Sequence, residues 1–183
     1  MLKTFDLETF WHAKLDENVC KKSFSYLENF FPKFVSKDWD CDIRTSRNIT
    51  DNILNASKLH ELKMNIVSHI ENYFHSKGLF IEGYISGSWI NIYEENFFQE
   101  FHVHRDDHTC QIQTSGVIYL TSNNSEIEFW KKNRVSIKPE FTDILIFPDD
   151  LPHRVKPNKN KDLRVSLAFN YTHIKPWFNT LLI

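Results

Sequence analysis

The sequence predicts an α+β fold that is mainly β: a jelly roll or sandwich of short strands, with N-terminal helices packed on one sheet. Three observations predict it. Before Gly78, apolar residues recur at three- and four-residue steps, the period of a helix face. After Gly78 they fall in short runs separated by turn residues, the pattern of strands. No repeat, low-complexity tract or linker interrupts the 183 residues, so 1–183 reads as a single domain, with a helical support segment at 1–78 and a β core at 79–183.

In the first segment, Phe24, Leu27 and Phe31 form one helical stripe, and Pro32 ends or kinks it. A second helix has Ser57 as its expected cap, Glu61 in its early turns, and Leu59, Leu62, Ile66, Ile70 and Phe74 as its apolar face. Gly78 stops it. The polar stretch 36–55 between the helices reads as a loop near a substrate mouth, to which Trp89 and Trp130 are further candidates. Strands are expected at 79–84, 88–93, 97–104, 116–120, 126–130, 135–138, 143–147, 153–155 and 163–170, with turns such as Ser122-Asn123-Asn124 between them.

Composition narrows the function. Aromatics make up 15% of the chain, with 16 Phe and 5 Trp, so the core is expected to be rich in flat side chains. Only four glycines occur, in no phosphate-cradling pattern, which argues against nucleotide-loop chemistry. A net charge of -2 gives no general pull toward nucleic acid or an acidic membrane surface. Three cysteines without close pairs make a poor disulfide framework, no signal peptide is read at Met1, and no apolar run approaches the ~20 residues of a membrane span. A reducing cytoplasm is the expected setting.

The chemistry concentrates in His102-Val103-His104-Arg105-Asp106-Asp107-His108. Alternate strand residues share a side, so His102, His104 and Asp106 line one face. His153 follows on a later strand, and Arg164 lies 11 residues beyond it. Two ligand sets follow. His104, Asp106 and His153 form the two-His, one-carboxylate face that suits ferrous iron and leaves positions open; His102, His104 and His153 form a three-His site, as in cupin-like metal proteins. A guanidinium grips a carboxylate through two parallel hydrogen bonds, so Arg164 suits an acidic cosubstrate, with Ser166 on the same side of its strand. Tyr119, Asn91 and Asn170 are polar groups on apolar strands that can reach a cosubstrate or satisfy the core.

These residues sit in segments that resemble the Fe(II)/2-oxoglutarate-dependent oxygenase superfamily, and within it a small group seen in marine bacteria and their phages. The likeness is carried by Ser88-Trp89-Ile90-Asn91, Glu95 to His104, Ser115-Gly116-Val117-Ile118-Tyr119-Leu120, Ile144-Leu145-Ile146-Phe147-Pro148, Leu151-Pro152-His153-Arg154-Val155 and Arg164 to Asn170. It covers about residues 85–171. The resemblance implies a double-stranded β-helix around one ferrous ion. It implies 2-oxoglutarate and O2 as cosubstrates, with Arg164 on the far carboxylate, and a hydroxylation yielding succinate. A peptidyl or amino-acid substrate follows by analogy with prolyl hydroxylases, and a cupin-like dioxygenase or isomerase without 2-oxoglutarate is the alternative. The wider superfamily's pattern picks His104-x-Asp106, and the smaller group's picks His102-x-His104. The acid is preferred because it makes the ferrous site neutral once 2-oxoglutarate is bound.

Overall fold

The structure is a computed structural model that describes residues 10–36, 41–104, 113–122, 125–130 and 132–177. Eleven strands form two antiparallel sheets. The larger sheet has the order β1 (Trp11–Lys14), β9 (Asp143–Pro148), β6 (Gln113–Tyr119), β11 (Arg164–Trp177), β4 (Phe80–Tyr93), β3 (Arg44–Thr45), β2 (Val35–Ser36). The smaller has β5 (Gln99–His102), β10 (His153–Val155), β7 (Ile127–Trp130), β8 (Arg134–Ile137). This is the expected mainly β, two-sheet arrangement.

Helices α1 (Glu17–Leu27) and α2 (His60–His75) cover the outer face of the larger sheet. Asp16 caps α1 by accepting from the Val19 N–H at 2.9 Å. Leu27 ends α1, and the chain tightens into a 3-10 turn, Glu28–Lys33, that carries Pro32. The expected stripe of α2 is in place: Leu59, Leu62, Ile66 and Ile70 are at most 1% exposed, and they meet Ile90, Ile92, Val165 and Leu167 of the sheet. Each such side chain contributes about 1.5–3 kcal/mol relative to an exposed one. Ser57 does not cap; it opens a 3-10 turn, Ser57–Leu59, and makes no capping bond at the start of α2.

Strands follow the pattern with three differences. The two runs 79–84 and 88–93 are one strand, β4, and its partner β11 continues to Trp177. The strands β1, β2 and β3 come from the first segment, which therefore supplies sheet as well as helical cover. Alternation then sorts the two faces. On β11, Val165, Leu167 and Phe169 point to the helices, and Arg164, Ser166, Ala168 and Asn170 point between the sheets. On β4, Ile90 and Ile92 face the helices, and Trp89, Asn91 and Tyr93 face inward. A Cβ on Gly116 would collide with the Phe169 ring, so only glycine lets β6 and β11 pack here.

Between the sheets, Val117, Phe129, Leu145, Phe147 and Leu151 fill one end with a second apolar core. The rest of the space stays open as a cavity of about 390 Å3. Among the described residues no helix is long and apolar enough to cross a membrane.

Candidate metal and cosubstrate site

Three histidines meet at the cavity. His102 ends β5, His104 follows two residues on, and His153 opens β10 directly opposite His102. One ligand nitrogen from each lies within 4.8 Å of the others. Ring centroids are 4.3 Å apart for His102 and His153, 5.0 Å for His104 and His153, and 5.4 Å for His102 and His104.

The local fold explains why they converge. The ladder pairs His153 with His102 but Val155 with Gln99, so β5 carries one extra residue across this interval. In a regular strand, residues three apart point to opposite faces; the bulge turns both Gln99 and His102 inward. The His104 N–H donates to the Asp149 carbonyl at 2.8 Å, which fixes the chain where it leaves β5.

Each ring is also oriented through Nδ1. His102 donates to the Glu100 carbonyl at 2.9 Å, His153 to the Leu151 carbonyl at 3.0 Å, and His104 to the Asn170 side-chain oxygen at 2.9 Å. A carbonyl oxygen cannot donate, so Nδ1 holds the proton in all three and Nε2 keeps its lone pair. Burial lowers the pKa of each ring. His104 falls to about 3, through burial first and then the neighbouring His102 and Arg47. His153 falls well below the ordinary value, through burial and then the other two rings. Neutral imidazoles with free, convergent lone pairs are what a divalent metal requires. Asp106, the acid of the other ligand set, lies outside the described residues.

At the other end of the cavity sits Arg164, 1% exposed. Its guanidinium stands 5.2 Å from the Tyr119 ring centroid and 5.5 Å from that of Tyr93. It donates one bond, to the Glu126 carbonyl at 3.3 Å, and its Nε has no partner among the described residues. Among the described residues no carboxylate forms an ion pair with it. A buried cation is costly without a counter-ion, and an anion entering the cavity would be one that suits this guanidinium. Ser166 and Asn91 line the same cavity, and the Asn91 side-chain oxygen is also unpartnered. Burial first, offset in part by Arg164, raises the Tyr119 hydroxyl to about 12, so it stays a neutral donor. The residues fit a metal with an anionic chelate: three lone pairs at one end, a guanidinium at the other.

Residues 121–170 match a family model described as a 2OG-Fe(II) oxygenase, a span that includes His153, Arg164 and Asn170. Over that span the chain is similar to this family. The chain shares the double-stranded β-helix fold of several solved structures. A Pseudomonas putida prolyl-4-hydroxylase is similar with a TM-score of 0.69 at 12% identity, over 91% of this chain and 93% of that one. A Trichoplax adhaerens prolyl hydroxylase, solved with a hypoxia-inducible-factor peptide fragment, gives 0.67 at 14%, over 90% and 83%. HygX from Streptomyces hygroscopicus, solved with nickel, 2-oxoglutarate and hygromycin B, gives 0.67 at 11%, over 93% and 84%. No curated protein sequence matches the chain significantly.

Trp89 lines the cavity and packs against His104, with centroids 5.5 Å apart. Arg47, from the stretch 36–55, stacks over Trp89 at 4.1 Å, so that stretch does reach the cavity. Trp130 does not: it is 49% exposed on the outer face of the smaller sheet, against Phe101 and Arg134. Sequence reasoning missed Gln99, whose inward aim depends on the bulge, and Ser115, whose role depends on a strand 55 residues away.

Proposed function

We propose that this chain is an Fe(II)- and 2-oxoglutarate-dependent oxygenase, a hydroxylase, with the metal held by His104, His153 and His102, and 2-oxoglutarate anchored by Arg164. The observation that carries the reading is the pairing of ends in one cavity: three converging neutral imidazoles, and a buried guanidinium lacking a carboxylate among the described residues. Ferrous iron with 2-oxoglutarate bound would supply oxidising power, turning a substrate C–H and O2 into C–OH, with succinate and CO2 as co-products.

The chain's own residues then hold and orient. Arg164 would take the far carboxylate, with Tyr119 and Ser166 as hydroxyl partners beside it. Asn91 would add a contact along the cosubstrate. The apolar wall of Val117, Ile127 and Phe147 excludes water from the space between the two ends. Trp89 and Arg47 border the metal end, the side left for the substrate. A peptidyl or amino-acid substrate is favoured by the likeness to two prolyl hydroxylases, one of them solved with a peptide.

A three-His set is also the cupin-like arrangement, and it supports a second reading, a metal-dependent dioxygenase or isomerase without 2-oxoglutarate. Arg164 favours the first. Anaerobic titration with Fe(II) and then 2-oxoglutarate decides between them. The expected result is a visible charge-transfer band that Arg164→Ala abolishes. Metal binding without the band would favour the cupin-like reading, and no metal binding would defeat both. His102→Ala is expected to cost metal affinity and Asp106→Ala to spare it; the opposite result would restore the carboxylate as third ligand.

A further inference from the structure

His104 differs from its two neighbours in how it is held. His102 and His153 donate to backbone carbonyls two residues before them, Glu100 and Leu151, which no side-chain substitution removes. His104 donates to a side chain from another part of the chain, the Oδ1 of Asn170, at 2.9 Å. That oxygen also accepts from the hydroxyl of Ser115 at 3.0 Å. Ser115 is fully buried and sits opposite Asn170 in the ladder between β6 and β11. Asn170 is the last inward residue before the ladder between β11 and β4 shifts register: Asn170 pairs with Gly87, but Tyr171 pairs with Ile85. The shift takes up the extra residue, Ser86, whose hydroxyl reaches the Asn170 carbonyl at 3.4 Å.

We propose that Asn170 is a positioning residue for the metal site. It acts through His104, with Ser115 fixing its amide so that the oxygen faces the ring, and it makes no cosubstrate contact. A fixed acceptor on Nδ1 keeps the His104 proton there and points Nε2 into the cavity. Outer partners of this kind typically change metal affinity 10–100-fold. Asn170 Oδ1 has two lone pairs and two donors, so the relay is complete only with both Ser115 and His104 in place. The inference rests on the metal reading above, and its test separates the two.

Co(II) serves as the probe, because its visible spectrum reports coordination without turnover. Affinity and spectrum are measured on the wild type, Asn170→Leu, Asn170→Asp, Ser115→Ala and His104→Ala, with circular dichroism to check folding. Asn170→Leu is expected to weaken Co(II) binding about 10–100-fold and to alter the spectrum. Asn170→Asp, whose carboxylate still accepts from both donors, is expected to bind at least as tightly as wild type. Ser115→Ala is expected to lose less than Asn170→Leu. In a His104→Ala background, Asn170→Leu is expected to cost nothing further, because the two residues act as a unit. Wild-type affinity and spectrum in folded Asn170→Leu would overturn the proposal, as would an undiminished loss in the His104→Ala background. Should Asn170→Leu fail to fold, Asn170→Asp decides: binding ten times weaker than wild type overturns it. If the wild type binds no Co(II), the metal reading itself fails and this inference falls with it.

Discussion

Strand β11 has two faces that obey different rules. Toward the helices it presents Val165, Leu167 and Phe169, each fully buried among apolar neighbours. Toward the cavity it presents Arg164, Ser166, Ala168 and Asn170, a polar row interrupted by one methyl. The first face gains free energy from burial alone. The second holds groups whose partners are incomplete among the described residues, notably the Nε of Arg164. One strand thus carries apolar burial on one side and the proposed site on the other, and the two can be changed separately.

The largest effect expected is on the helix face. Phe169→Ala removes a fully buried ring that packs against Gly116, and should destabilise the fold by about 3–5 kcal/mol in urea denaturation. Metal affinity of the protein that remains folded should be unchanged. A smaller loss of stability with a large loss of metal would erase the distinction between the faces.

Arg164→Met should do the reverse. Cosubstrate affinity falls by roughly 2–5 kcal/mol, the usual loss when one partner of a buried charge pair is truncated. Thermal stability without ligand stays level or rises, since a buried cation lacking a counter-ion among the described residues has been replaced by an apolar chain of similar length. Calorimetric titration with 2-oxoglutarate and a melting scan measure both. A marked drop in melting temperature would mean that Arg164 holds the fold as well as the ligand.

A linked expectation concerns ligand stabilisation. At 100 times its dissociation constant, 2-oxoglutarate should stabilise the metal-loaded wild type by about 2.7 kcal/mol and the Arg164→Met variant hardly at all.

The smallest effect sharpens the contrast from a second buried charge. Asp143, at the start of β9, is 3% exposed but fully partnered: Lys14 at 2.8 Å, His12 at 3.3 Å and the Glu140 N–H at 2.7 Å. Burial alone would raise its pKa; His12, the Glu140 N–H and Lys14 outweigh burial and hold it below 3.8. Its contribution is therefore present above about pH 3.8 and lost as pH falls through the depressed folded value. Asp143→Asn should be less stable at neutral pH and should show a shallower acid slope in that window, read by urea midpoints across pH. An unchanged slope would mean that the pairing is cosmetic.

Much of this was legible from local pattern. The α2 stripe, the switch of period at Gly78, and the inward-facing alternation of Arg164 and Ser166 each depend on neighbours within a few positions. The ordered set of His102, His104 and His153 was legible, and the three are brought together in the fold. What local pattern cannot carry is partnership at long range. The strands β2 and β3 have two residues each, too short for any period, and exist because β4 offers them an edge. Asn170 could be read as a polar residue on an apolar strand, but its role needs Ser115 and His104, 55 and 66 residues away.

The bulge in β5 has a consequence of its own. A strand works like a reading frame of period two, and every inward residue before an inserted position becomes outward relative to those after it. Gln99 and His102 are both inward only because the frame slips once between them. Deleting Glu100 would mend the frame and give a tidier ladder. It would also remove the carbonyl that orients His102, and it would set Gln99 and the imidazole two apart in one frame, so the stagger that brings His102 opposite His153 would have to be rebuilt from the loop beyond. At this point in the molecule the irregular strand is the one that carries the proposed ligand, and for that role regularity would be the defect.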